Sequence, residues 1–308
     1  MNKDRILLFR LGGLGDLMVI LPGLKLLRCA FPLSRFTLAC RVEYGRLLEK
    51  AGLVEEIVDA GAGRLADLFS PEARLNPEVE AWLKSFDQVW VWGLQNLGPS
   101  LEEGLKRHGA RRVQTLGPPS GVSQPLFQFY FERTAVALRM EGNISGTSQA
   151  FDSWLSQART VAAADTAGQE VIIHPGSGSR RKCWPLDRFL AVTERLSESD
   201  IPGLVVTGEA EAWLEPELSR YRFSSGWRWL PRPEIAALAV RLSGCRFYLG
   251  NDSGVTHLAA ACGAMGLALF MQESKILWKP YGRVRQLSAK DMADIEMERV
   301  WEELRSLL

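Results

Sequence analysis

Two periods of apolar and polar positions alternate along the chain. Arg5–Arg10 (RILLFR) is a short continuous apolar run and reads as a buried strand. Asp16–Ala30 places Leu17, Ile20, Leu21, Leu24 and Leu27 on one helical face. Phe36–Cys40, Glu56–Val58 and Gln88–Trp92 are further short strands, with Tyr44–Ala51 and Glu78–Ser85 as helices between them and Pro125–Arg139 as another amphipathic helix. A second series begins at the strand Glu170–His174 and runs through the helix Asp187–Glu198, the strand Gly203–Thr207, the helix Pro233–Leu242 and the strand Arg246–Leu249. The helix Gly254–Cys262, the strand Leu267–Phe270 and a charged amphipathic helix, Met292–Leu307, complete it.

Strands alternating with helices predict an α/β chain whose parallel sheets are covered on both faces. The stretch 156–168 carries small and polar residues with few large apolar ones, and reads as a linker. It divides the chain into two Rossmann-like halves, 1–160 and 161–308, with the closing helix 292–307 free to pack back on the N-terminal domain. In such sheets ligands sit beyond the carboxyl ends of the strands.

Composition narrows the functional classes. Lys plus Arg total 37 against 36 Asp plus Glu, a net charge of +1. That balance argues against a nucleic-acid partner, because phosphate neutralisation needs a basic excess. Five scattered cysteines show no metal-site or redox spacing, as expected of a reduced cytoplasmic chain. The N-terminal apolar run is too short for a signal peptide. The strictly apolar or glycine segment Leu258–Met271 is 14 residues, short of the ~20 a membrane span needs.

Four strand-end loops carry candidate chemistry. In Arg10-Leu-Gly-Gly-Leu-Gly-Asp16, Gly12, Gly13 and Gly15 allow a tight turn and close approach of a ligand, and Asp16 stands at or beside the cap of the next helix. The spacing is not that of a dinucleotide fingerprint. His174-Pro-Gly-Ser-Gly-Ser-Arg-Arg-Lys-Cys-Trp-Pro185 combines Ser177, Ser179, two glycines and three consecutive cations, the ingredients of an anion site or of a solvated basic loop. Gly250-Asn-Asp-Ser-Gly-Val-Thr-His257 offers three cap residues ahead of a helix whose N–H groups suit an anion. Thr207-Gly-Glu-Ala-Glu211 places carboxylates where a ribose diol could be held.

Together, RLGGLGD, HPGSGSRRKCWP and GNDSGVTHLAAACG resemble glycosyltransferase family 9, the ADP-heptose–lipopolysaccharide heptosyltransferases, over nearly the whole chain. The resemblance implies a GT-B fold, with two Rossmann-like domains facing a central cleft, the acceptor on the N-terminal one and the nucleotide-sugar on the C-terminal one. It also implies inverting transfer without a metal or other cofactor, and the chain contains no Asp-x-Asp. By the same resemblance Asp16 is the general base. Lys182, Ser177, Ser179, Ser253, Gly254 and His257 surround the donor diphosphate, Asp252 orients the donor sugar, and Glu211 and Glu209 lie near the ribose. Gly12, Gly13 and Gly15 form the acceptor-side loop. One departure stands out: where the family continues with a Gly-Pro-Thr-type loop, this chain reads Phe270-Met-Gln-Glu-Ser-Lys275.

The implied reaction moves a sugar, a heptose, from an ADP-sugar to a lipid-linked, lipopolysaccharide core-type saccharide. A nucleotide-sugar epimerase, a hexosyltransferase on the same fold and a non-catalytic nucleotide-sugar-binding relative remain alternatives. A lipid-linked acceptor implies peripheral contact with the inner face of the cytoplasmic membrane. Lys25, Arg28, Arg35, Arg41 and Arg46 are the candidates for a basic surface there, or for ordinary solvated charge.

Overall fold

The computed structural model describes residues 3–61, 63–70, 74–93, 98–117, 121, 123–139 and 170–307. The chain divides into two compact units, Met1–Trp154 and Leu155–Leu308. The linker expected at 156–168 and the boundary at 160 lie outside the described residues.

The first unit holds five parallel strands, β1 (Arg5–Phe9), β2 (Arg35–Cys40), β3 (Glu56–Asp59), β4 (Gln88–Trp92) and β5 (Val113–Leu116), in the order β3-β2-β1-β4-β5. Its helices are α1 (Leu14–Val19), α2 (Leu21–Ala30), α3 (Val42–Lys50), α4 (Pro77–Lys84), α5 (Gly98–Arg107) and α6 (Leu126–Ala137). The helix expected over Asp16–Ala30 is two helices. Pro22 has no N–H to donate into a continuous helix, and Ile20 both ends α1 and opens α2.

The second unit holds six parallel strands in the order β11-β10-β9-β6-β7-β8. They are β6 (Val171–His174), β7 (Gly203–Thr207), β8 (Trp227–Pro231), β9 (Phe247–Asn251), β10 (Gly266–Met271) and β11 (Val284–Ala289). Helices α7 (Leu186–Ser197), α8 (Ile235–Gly244), α9 (Gly254–Ala261) and α10 (Met297–Arg305) accompany them. The closing segment begins as a 3₁₀ turn at Met292–Asp294, and only then becomes α10. That helix buries Val300 and Leu304 in the second unit's own core, with Trp184, Phe189 and Leu269. It belongs to the C-terminal core, where the sequence had left a return to the N-terminal domain open.

Three strands escape the apolar pattern: β5, β8 and β11. All are edge strands, and each buries only one or two of its residues, so none presents a continuous apolar run. By contrast β4 and β6, inside their sheets, are buried at every residue. Both strand orders reverse at one point, between β1 and β4 in the first sheet and between β6 and β9 in the second. Such switch points open a crevice at the strands' carboxyl ends, where open α/β sheets bind ligands. Arg10 follows β1, His174 ends β6 and Asn251 ends β9, so the sequence motifs stand at these points.

Candidate functional site

At the first switch point the chain turns through Gly12, whose φ of 111° lies in the region glycine favours. A Cβ there would stand 2.5 Å from Asp16 Oδ2. Gly13 and Gly15 have no positive φ, and Gly15 lies within α1, so only Gly12 of the three is required by the backbone. Asp16 is the third residue of α1 and not its cap. Its Oδ2 accepts the Gly13 N–H at 2.9 Å, satisfying a donor that the helix start leaves unpaired.

Its other oxygen is held by Arg10, which is 2% exposed. Arg10 Nη2 donates to Asp16 Oδ1 at 2.9 Å and Nε to the Asp16 carbonyl at 2.8 Å. Nη1 donates across the switch point to the Trp92 carbonyl at 3.2 Å and to Tyr130 Oη at 3.1 Å. The planar guanidinium thus fixes the carboxylate to the ends of β1 and β4 at once. Each carboxylate oxygen retains a second acceptor site, enough to take a proton.

At the second switch point, loops from β6 and β9 are stitched together. Asn251 Nδ2 donates to the Pro175 carbonyl at 2.8 Å, and Asn251 Oδ1 accepts the Trp184 N–H at 3.0 Å. Ser177 donates its hydroxyl to the Asp252 carbonyl at 2.6 Å, so that hydrogen serves the brace between the loops. Trp184 is 1% exposed, edge-on to Phe189, and its indole N–H reaches the Ile295 carbonyl at 2.7 Å. Burial of this large ring with its polar atom satisfied anchors the segment that carries Lys182.

Lys182 Nζ stands 3.0 Å from Asp252 Oδ2, which also accepts the Ser274 hydroxyl at 2.9 Å. Asp252 is 4% exposed, whereas the lysine side chain is 35% exposed and can meet an incoming anion. Ser253 caps α9, its Oγ accepting the Thr256 N–H at 3.4 Å, and Gly254 opens the helix. Glu211 is buried and accepts the Gly208 N–H at 2.7 Å. Burial pushes its carboxyl up, but His174 and backbone N–H groups outweigh that and hold it below the usual glutamate value.

The remaining expected residues lie on the same segments. Ser179 and Glu209 are exposed on their loops. His257 is buried within α9, edge-on to Trp278. The three cations do not act as one cluster, because Arg180 lies over Trp213 and Arg181 pairs with exposed Glu273. In the first unit Lys25 is buried, and Arg28 is engaged by the Leu53 and Ser34 carbonyls and by Glu55. Neither belongs to an open basic surface. Arg10, His174 and Ser274, given no role from sequence, contact Asp16, both Glu211 and Ser253, and Asp252 respectively. Among the described residues no group of three or more His, Cys, Asp or Glu is placed to hold a metal ion, and no helix is long and apolar enough to cross a membrane.

This fold recurs in known proteins. A glycosyltransferase family 9 protein from Veillonella parvula shares the fold, with a TM-score of 0.76 at 19% identity, over 100% of this chain and 98% of that one. Escherichia coli heptosyltransferase WaaC, solved with ADP, matches with a TM-score of 0.75 at 17% identity, over 99% and 100% of the two chains. Lipopolysaccharide heptosyltransferase 3 of E. coli K12 is 26% identical over 140 residues, which is 44% of this chain and 40% of that protein. The alignment therefore spans well under half of that relative's length. The sequence profile of glycosyltransferase family 9 (heptosyltransferase) matches residues 94–302, and the chain belongs to that family.

Proposed function

We propose that this chain moves a heptose from an ADP-linked donor to a lipopolysaccharide core-type acceptor, with inversion and without a metal. The observation that carries the reading is the second switch point, where Lys182, Asp252, the Ser253-capped N-terminus of α9 and Glu211 stand in one connected group. That set offers a cation and helix N–H groups for a diphosphate and carboxylates for hydroxyls. The ADP in the WaaC structure supports the same ligand class.

In the proposed step the acceptor hydroxyl oxygen bonds to the anomeric carbon as the bond from that carbon to the diphosphate oxygen breaks. The electron pair leaves with ADP, and the hydroxyl proton passes to Asp16. Negative charge grows on the leaving diphosphate, where Lys182 and the α9 N-terminus stabilise it. Lys182 is shared between two anions, Asp252 and the diphosphate. Asp252 thereby faces the donor sugar with its lysine drawn aside. The work is done at the cytoplasmic face of the membrane, where a lipid-linked acceptor is within reach.

The test is chromatography of ADP released from ADP-heptose, with and without lipopolysaccharide lacking core heptose, in the presence and absence of EDTA. Acceptor-dependent release that EDTA leaves unchanged is expected. Donor binding without release would make the chain a nucleotide-sugar-binding protein. Isomerised donor without ADP would make it an epimerase, and release from ADP-hexose alone a hexosyltransferase.

A further inference from the structure

His174 ends β6, the strand that lies between β9 and β7 in the second sheet. Its imidazole is 2% exposed and touches one polar side chain from each neighbouring strand's loop. Nδ1 lies 3.2 Å from Ser253 Oγ, at the cap of the helix that follows β9. Nε2 lies 3.6 Å from Glu211 Oε2, on the turn that follows β7. All three groups are buried, with Glu211 5% and Ser253 9% exposed. A carboxylate only accepts, so in the neutral ring the hydrogen sits on Nε2, facing Glu211, and Nδ1 takes the Ser253 hydroxyl hydrogen. Ser253 Oγ then keeps its lone pairs for the Thr256 N–H. In this one tautomer the imidazole faces an acceptor with its N–H and a donor with its lone pair, as a buried polar group requires.

We propose that His174 is a positioning residue that holds Glu211 and Ser253 in fixed relation, setting the ribose side and the diphosphate side of the nucleotide site at one spacing. The proposal rests on the reading that Glu211 meets the ribose and the Ser253 cap meets the diphosphate. One ring does for the two halves what two independent residues could not, because any shift of the imidazole moves both contacts.

The two ring nitrogens can be removed separately. Gln at position 174 keeps a donor near the Nε2 position, and Asn keeps a polar atom near the Nδ1 position. Titration calorimetry of the full chain with ADP, 2′-deoxy-ADP and AMP reads each half as a ratio of affinities. ADP over 2′-deoxy-ADP reports the ribose side, and ADP over AMP the diphosphate side. His174→Leu lowers both ratios about 5- to 10-fold, the scale of one lost polar contact each. His174→Gln restores the ribose ratio alone, and His174→Asn the diphosphate ratio alone. Should His174→Leu fail to fold, the opposite losses in the Gln and Asn variants carry the test. Affinities that fall uniformly, with both ratios at parental values, overturn the proposal and leave His174 a packing residue. A parent chain that binds no ADP overturns the functional reading, and this inference with it.

Discussion

Arg10 Nη2 stands 2.9 Å from Asp16 Oδ1, and the two ends of the pair lie in different surroundings, the arginine side chain 1% exposed and the aspartate 23%. The buried end anchors, and the open end remains accessible. Asp16→Asn keeps an oxygen for the Gly13 N–H but removes the guanidinium's counter-charge. Arg10 retains the Asp16 and Trp92 carbonyls and the Tyr130 hydroxyl. The variant is therefore expected to fold with a stability loss of about 1–3 kcal/mol, below the full cost of breaking a buried pair. Turnover falls by ~100-fold or more, the range for a lost general base. Initial rates at saturating donor, measured well below the melting temperature, check this, and near-normal transfer removes Asp16 from the role.

Arg10→Lys separates orientation from charge. A lysine keeps the cation but cannot span Asp16, Trp92 and Tyr130 together. The expected result is a kcat lowered about 10-fold with KM for the donor unchanged, since the proposed donor-binding groups belong to the second unit. A raised donor KM would contradict that division of labour.

The legible and illegible parts of this chain divide along physical lines. Strands inside a parallel sheet, such as β6 (VIIH), are apolar throughout and stand out in the sequence. The edge strands β5 (VQTL) and β8 (WRWLP) have one side in solvent and lack that signal. In the site, residues inside glycine-rich loops are legible as candidates because cap and turn chemistry is local. The roles of Arg10 and His174 are not, because the partners that brace them across the switch points are distant in sequence. Trp92 is 82 residues from Arg10, and Ser253 is 79 from His174. Only the strand order, which sets β1 beside β4 and β6 beside β9, brings them together.

Gly176 shows the same dependence on a distant partner. A Cβ at this position would lie 1.9 Å from Glu211 Cγ. Glu211 is packed in and cannot swing aside freely, so Gly176→Ala displaces its carboxylate. The expected outcome is a loss of ADP affinity close to that of Glu211→Gln, about 10-fold, and little further loss when both changes are combined. Calorimetry on the two single variants and the double variant measures this, and additive losses would show that the glycine acts by another route.

Thiol reactivity probes the surroundings of Cys183, beside Lys182. Burial pushes the Cys183 thiol up to about 11, with the Glu211 charge adding to it. Burial likewise takes Cys40 to about 12, helped by Asp59. At pH 8 a thiol near 11 is only ~0.1% thiolate, against roughly a quarter for an ordinary one. Iodoacetamide on the native chain should therefore alkylate exposed Cys29 first and half-buried Cys183 more slowly, on the order of 10-fold or more. Peptide mass spectrometry over a time course reads the order. Fast labelling of Cys183 would show that burial and the Glu211 charge do not hold its thiol protonated in solution.

Glu211 also links the site to stability in acid. Its folded-state carboxyl lies below the ordinary value of 4.5 because, against the upward push of burial, His174 and the Gly208 N–H favour the charged form. A group whose pKa is depressed by folding stabilises the fold fully above its unfolded value, and loses that contribution as pH falls through the folded one. The gap in urea midpoint between the parent and Glu211→Gln should thus be level from pH 8 to about pH 5. Below pH 4.5 it should narrow as Glu211 takes up its proton and comes to resemble the amide. Tryptophan fluorescence suits the measurement, since Trp184 lies in the core beside this site. A gap that stays constant down to pH 3 would show that the Glu211 charge is not held by its buried partners.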